Sequence, residues 1–209
     1  MVGNLHKLHR KHALGKLGVV ALLSVVACFP GYTYAPVTTS SAVLSGRPAA
    51  AYSFTEPGAG APLAGEIRLA TLGFVKVHRQ GDPPGADLRA LRVQILLINT
   101  GDRPWVLDPL EIYLDLSATS AGANEPIVAL APTTLGSTPS PVSAEPGSQR
   151  TVELYFPLPP AVADGRRLPQ FDVVWHLRTG QGRIERRTTF DRHAVEPPAE
   201  DNRWEAYAF

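Results

Sequence analysis

Past residue 27 this chain of 209 residues has one cysteine, one lysine and no methionine. A lone thiol has no partner within the chain, so no disulfide framework holds the domain together. One sulfur ligand is also too few for a copper site built on cysteine and methionine. The histidines in that stretch are His78, His176 and His193, with no HxH or HxxH spacing among them, which gives no zinc signature. A metal-dependent enzyme would need those three to converge in space. No Gly-x-Ser-x-Gly elbow occurs, and Gly-Arg-Arg (165–167) and Gly-Gln-Gly (180–182) are too short to cradle phosphate. Single acids such as Asp82, Asp102, Asp108 and Asp164 fall at turn positions, where a carboxylate bonds its own backbone. The expectation is a protein without catalysis, metal or cofactor.

Charge excludes a further class. The formal charge is +1, but Lys7, Arg10, Lys11 and Lys16 lie in the first 27 residues without an acid, so the rest of the chain carries −3. A mildly acidic domain has no broad basic surface to release counterions from nucleic acid.

What is present is 44% hydrophobic content with 18 glycines and 20 prolines. That is enough apolar surface for a core and enough punctuation to favour short strands over long helices. The first 16 residues are basic, with His6, His9 and His12 among the four Lys/Arg, and an apolar run follows from Leu17 to Ala27. This is the order of a signal peptide. The run falls well short of the roughly 20 residues that a spanning helix needs.

Val25-Val26-Ala27-Cys28 resembles the lipobox of bacterial lipoproteins. The resemblance implies cleavage after Ala27, diacylglycerol on the sulfur of Cys28, and a further acyl chain, typically palmitate, on the new amino terminus. With roughly 0.8 kcal/mol per buried methylene, two or three chains anchor stably where one does not. Phe29, standing where an Asp would imply inner-membrane retention, implies the outer membrane by the same resemblance.

Residues 28–65, rich in Pro, Ala, Ser and Thr without periodicity, read as a flexible tether, with Ala51–Thr55 as a possible edge strand. From residue 66 short apolar runs alternate with turn signals. Glu66–Arg79 is one expected strand, ended by a turn at Gly81–Gly85. Leu88–Asn99 is the next, with Leu91, Val93, Ile95 and Leu97 on one face and Arg92 and Gln94 on a wet one. Trp105–Leu107 and Leu110–Leu116 form a strand interrupted at Asp108-Pro109, where Pro, which cannot donate to a ladder, predicts a bulge or a switch of sheet. Residues 117–148 read as loop with a short strand at Pro126–Leu130. Glu145-Pro146-Gly147-Ser148 predicts a type II turn into Gln149–Phe156. Phe171, Val173, Trp175 and Leu177 predict a core face with His176 exposed opposite, and Thr179–Gly182 turns the chain into Arg183–Phe190.

The expectation is an all-β, immunoglobulin-like β-sandwich of about seven strands over 66–192, followed by a C-terminal tail, 193–209. The stretches 91–104 and 145–156 resemble Ig-like domains of bacterial lipoproteins, a likeness that implies a fold and no catalytic residue. The basic cluster Arg178, Arg183, Arg186, Arg187 and Arg192 reads either as a solvated last hairpin whose charges discourage edge-to-edge aggregation or as a contact surface. The tail with Trp204, Tyr207 and Phe209 either packs on the sandwich or anchors a partner. An envelope protein or anionic lipid headgroups would be the partner. The functional expectation is a membrane-anchored binding or structural module of the cell envelope. The alternative is a carrier for an apolar ligand, with the 117–148 loop covering a cavity between the sheets.

Overall fold

The computed structural model describes residues 32–38, 41–55, 63–77, 83, 87–117, 126–130, 140–163 and 168–194. Cys28, His78, Trp204, Tyr207 and Phe209, like the expected turn at Gly81–Gly85 apart from Pro83, lie outside them.

The described residues form two antiparallel sheets and no α-helix. The strands are β1 (Tyr32–Pro36), β2 (Ala42–Leu44), β3 (Arg47–Thr55), β4 (Leu63–Val77), β5 (Leu88–Asn99), β6 (Trp105–Leu107), β7 (Tyr113–Asp115), β8 (Ile127–Val128), β9 (Val142–Ala144), β10 (Gln149–Pro157), β11 (Gln170–Thr179) and β12 (Gly182–Ala194). One sheet has the order β10-β5-β4-β3-β2. The other runs β1-β12-β11-β6-β9, with β7 on β11 and β8 on β7. With β4, β5 and β10 facing β6/β7, β11 and β12, this is the pairing of an immunoglobulin-like sandwich.

The alternation legible in three strands sets the core. Leu91, Val93, Ile95 and Leu97 of β5 are fully buried, as are Phe171, Val173, Trp175 and Leu177 of β11. Val152, Leu154 and Phe156 of β10 lie on the same inner layer. In β4 a bulge between Thr71 and Gly73 shifts the register by one residue. The hydroxyl oxygen of Thr71 accepts the Gly73 N–H (3.2 Å), and Gly73 sits at φ 87°. An extra residue flips every following side chain, so Phe74 stands opposite Leu91 and turns inward.

The structure corrects the expected tether. Residues 32–55 contribute three strands: β1 pairs with β12, β3 pairs with β4, and β2 with β3. Tyr34 is 1% exposed, donates its hydroxyl to the carbonyl of Leu168 (2.7 Å) and packs on Phe74 and Phe171. Tyr52 meets Trp175, and Phe54 meets Trp105. The sandwich therefore begins at Tyr32 rather than at residue 66, and it has more strands than the seven expected. At the other end β12 runs on to Ala194, past the expected boundary at 192.

The expected interruption at Asp108-Pro109 is a single 3-10 turn, η1 (Pro109–Glu111), with the Asp108 carboxylate accepting the Leu110 N–H (3.0 Å). Both flanking pieces pair with β11, so the strand is broken without leaving its sheet. The predicted turn before β10 is present: the Ser148 N–H donates to the Glu145 carbonyl (3.0 Å), with Gly147 at φ 71°. β9, which precedes it, was missed in the region read as loop.

Candidate functional site

Three connections meet at one end of the sandwich: the β5–β6 loop, the Glu145–Ser148 turn and the tip of the β11–β12 hairpin. Asn99 holds the first two together. Fully buried at the end of β5, it donates from Nδ2 to the carbonyls of Arg103 and Ala144 (2.8 Å each), and its Oδ1 accepts the Gly101 N–H (3.0 Å). Its own N–H donates to the Ser148 carbonyl (3.0 Å). Arg103 then crosses to the hairpin, where its guanidinium donates to the Gly180 carbonyl (3.3 Å). A Cβ at position 180 would stand 2.1 Å from Arg103 Cδ, so the crossing requires glycine there.

Between these loops lies an open cleft of about 400 Å³, lined by Ala64, Asp102, Arg103, Trp105, Thr179 and Gln181 together with Gly101 and Gly180. Trp105 is buried and supplies an apolar wall, whereas Asp102, Arg103 and Gln181 are exposed at the rim. An apolar surface beside convergent polar groups is the general form of a binding site. The sequence marked Asn99–Asp102 and Thr179–Gly182 as separate turns; nothing local to either says that they meet.

The basic cluster is arranged differently from its appearance in sequence. Arg178, Arg183 and Arg187 share the outer face of their sheet, where acids from η1, β7 and β11 pair with them. Arg178 bonds Glu111 (2.6 Å), and Arg183 lies 3.6 Å from the other oxygen of that carboxylate. Arg187 bridges Asp115 (2.8 Å) and Asp172 (2.6 Å). The Arg178 hydrogen bond holds the Glu111 carboxyl below the usual range and raises the arginine in turn. Asp115 is lowered chiefly by the Ser117 N–H and then by Arg187. Arg186 falls on the opposite face and is exposed, while Arg192 lies over the Tyr32 ring at 4.7 Å. Three of the five arginines thus belong to an ordered charge lattice on the outer face.

His176 corrects a second expectation. It lies on that outer face as the alternation required, but it is buried at 5% exposure rather than open to solvent. Its Nδ1–H donates to the Glu111 carbonyl (2.6 Å), and Nε2 lies 3.0 Å from Glu185. The neighbouring charge lattice covers it. His193 is exposed eight residues beyond Glu185 along β12, about 26 Å at the rise of an extended strand. His176 and His193 therefore do not converge, and the three-histidine metal reading fails on geometry.

The carrier reading is not supported by the described interior. The space between the sheets is filled by Trp175, Phe156, Phe171 and Phe190 with the aliphatic residues of β4 and β5, and the cleft opens at the loop end with a polar rim.

No protein-family model matches the chain, and no curated protein matches it in sequence. Among solved structures it is similar to ycdA of Bacillus subtilis, a protein inferred to be a lipoprotein, at 11% identity over 58% of this chain and 35% of that one, with a TM-score of 0.37. The match thus spans about a third of ycdA. The ApaA protein from Bordetella pertussis is similar at 14% identity over 63% and 94% of the two chains, with a TM-score of 0.34. The yjhA protein from Bacillus subtilis matches at 11% over 59% and 76%, with a TM-score of 0.32. At these scores the likenesses carry no argument about function.

Proposed function

We propose that the protein is a lipid-anchored binding module of the bacterial cell envelope, held by acyl chains on Cys28 and contacting its partner through the loop-end cleft. The observation that carries the reading is the position of Cys28, the only thiol of the chain, directly after an apolar segment and four residues before the first strand of the sandwich. A thiol so placed joins the folded domain to a membrane with almost no spacer. Phe29 favours the outer membrane. Recognition rests on the cleft, where Asp102, Arg103 and Gln181 offer both charge signs and an amide beside the Trp105 ring. Function by binding, without catalysis, is the reading that this polar rim supports.

Intact mass and membrane fractionation of the wild type beside Cys28→Ala test the anchor. The expected result is lipid mass and membrane retention in the wild type, and loss of both in the variant. Release of both proteins with unlipidated mass would refute the anchor.

A further inference from the structure

The anchor and the cleft belong to opposite ends of the sandwich. β12 starts at Gly182, next to the hairpin-tip residues Gly180 and Gln181 that line the cleft, and ends at Ala194, the residue that pairs with Tyr32 at the start of β1. Twelve residue steps separate those points, about 40 Å along the strand. Four residue steps separate Cys28 from Tyr32, and even a fully extended chain spans at most about 14 Å over that distance. Cys28 is therefore confined to the Tyr32 end by covalent geometry alone, and the chain leaves Ala194 at that same end.

We infer that the protein stands on the membrane with its Tyr32–Ala194 end at the headgroups and its loop cleft facing away from the bilayer. This rests on the lipid-anchor reading and adds a direction to it. The surface assigned to lipid fits a headgroup layer. Tyr32 is 43% exposed beneath the Arg192 guanidinium, a ring and a cation of the kind that settle at a membrane interface. Lys76, the single lysine after the signal segment, is exposed at the same end of β4, beside Arg89 on β5. Asp87 and Asp191 also lie there, so the acyl chains supply the attachment while the cations and the ring set the contact.

One consequence separates two roles that the sequence joined. Arg183 sits one residue from the hairpin tip, at the far end from Cys28, so it meets a partner in the space beyond the membrane and not the lipid that holds the anchor.

Because Cys28 is consumed by lipid, an introduced cysteine is the sole reactive thiol of the full-length lipoprotein. Fluorescent probes are placed at Lys76→Cys and His193→Cys near the anchored end, and at Asp102→Cys and Gln181→Cys near the cleft; all four positions are exposed. The labelled lipoproteins are reconstituted into vesicles of phosphatidylethanolamine and phosphatidylglycerol carrying a headgroup nitroxide. Near-ultraviolet circular dichroism verifies each fold, and intact mass with vesicle flotation verifies the anchor. The expected result is loss of fluorescence at 76 and 193 and none at 102 and 181. Quenching at all four positions, or at the cleft pair alone, in protein that carries lipid and floats would overturn the orientation while leaving the anchor standing. Protein without lipid mass that fails to float would overturn the anchor and the orientation with it.

Discussion

Replacing Asn99 by alanine tests how the loop end is held. The amide makes three hydrogen bonds to backbone: one to the buried Ala144 carbonyl, and two, to Arg103 and Gly101, in half-buried surroundings. Losing the first removes a hydrogen bond from a buried carbonyl that water does not easily reach, at about 1–3 kcal/mol. The other two face the loop, where water enters, so each contributes about 0.5–1.5 kcal/mol. The sum is about 2–6 kcal/mol, a fall in Tm of roughly 4–24 °C for a domain of this size. Urea unfolding followed by tryptophan fluorescence reads the loss as a lower midpoint at unchanged m. Asn99→Asp sharpens the test. It keeps the acceptor for Gly101 but points carboxylate oxygens at two carbonyls, so at neutral pH it is expected to be at least as damaging as alanine. A loss below about 1 kcal/mol for alanine, with m unchanged, would show that water replaces these bonds and that the amide does not hold the loops together.

Three further outcomes are expected. Tyr34→Ala removes a buried ring and its hydrogen bond to Leu168 and should cost about 3–5 kcal/mol in urea unfolding; a near-neutral effect would return β1 to the status of a tether. Gly65→Ala places a Cβ 2.1 Å from the Ile98 carbonyl and 2.4 Å from the Trp105 ring at φ 145°, and should cost about 3 kcal/mol or more. Gly73→Ala, at φ 87° with open space around it, should cost only the backbone strain of about 1–2 kcal/mol, and equal losses at the two sites would contradict the packing. Stability should also fall in acid. Arg92 holds the Glu153 carboxyl below the usual range, as Arg178 does for Glu111 and the Ser117 N–H for Asp115. A carboxyl depressed in the folded state contributes stability that is complete above its unfolded value, near 4, and is lost as pH falls through the folded one. Glu153→Gln should reduce that acid dependence, at a cost of about 0.5–1 kcal/mol at neutral pH because the pair is roughly one-third exposed. Urea midpoints at neutral pH and near pH 3 decide it, and identical slopes in the two proteins would refute the assignment.

The strands that announced themselves were those with one face in the core and regular alternation. β5 was legible to the residue, because Leu91 to Leu97 alternate with Arg92, Gln94 and Leu96, and β10 and β11 nearly so. Even there the outer face was misjudged: Gln94 is buried at 7% because the Ser45 hydroxyl reaches it from the β2–β3 turn (2.6 Å). β1 gave no signal, and β3 was legible only in Ala51–Thr55, read as an edge strand, while β2 pairs with residues 47–49 ahead of it. β3 buries Ala49, which packs with Leu44 and Ala70, and Ala50, small residues that score as linker composition. Among the residues assigned a contact role, Arg187 spends its charge on Asp115 and Asp172, acids far away in the sequence.

The sequence by itself determined the all-β class, the inner faces of β5, β10 and β11, and the turn that launches β10. Alternation and turn chemistry act over a few residues, so they are written where they act. Tertiary structure decided that residues 32–55 belong to the sandwich, that His176 is buried, and that Asn99, Arg103 and Gly180 come together at one end. Each of these depends on partners many residues distant, whose identity follows from which strands pair and in which register.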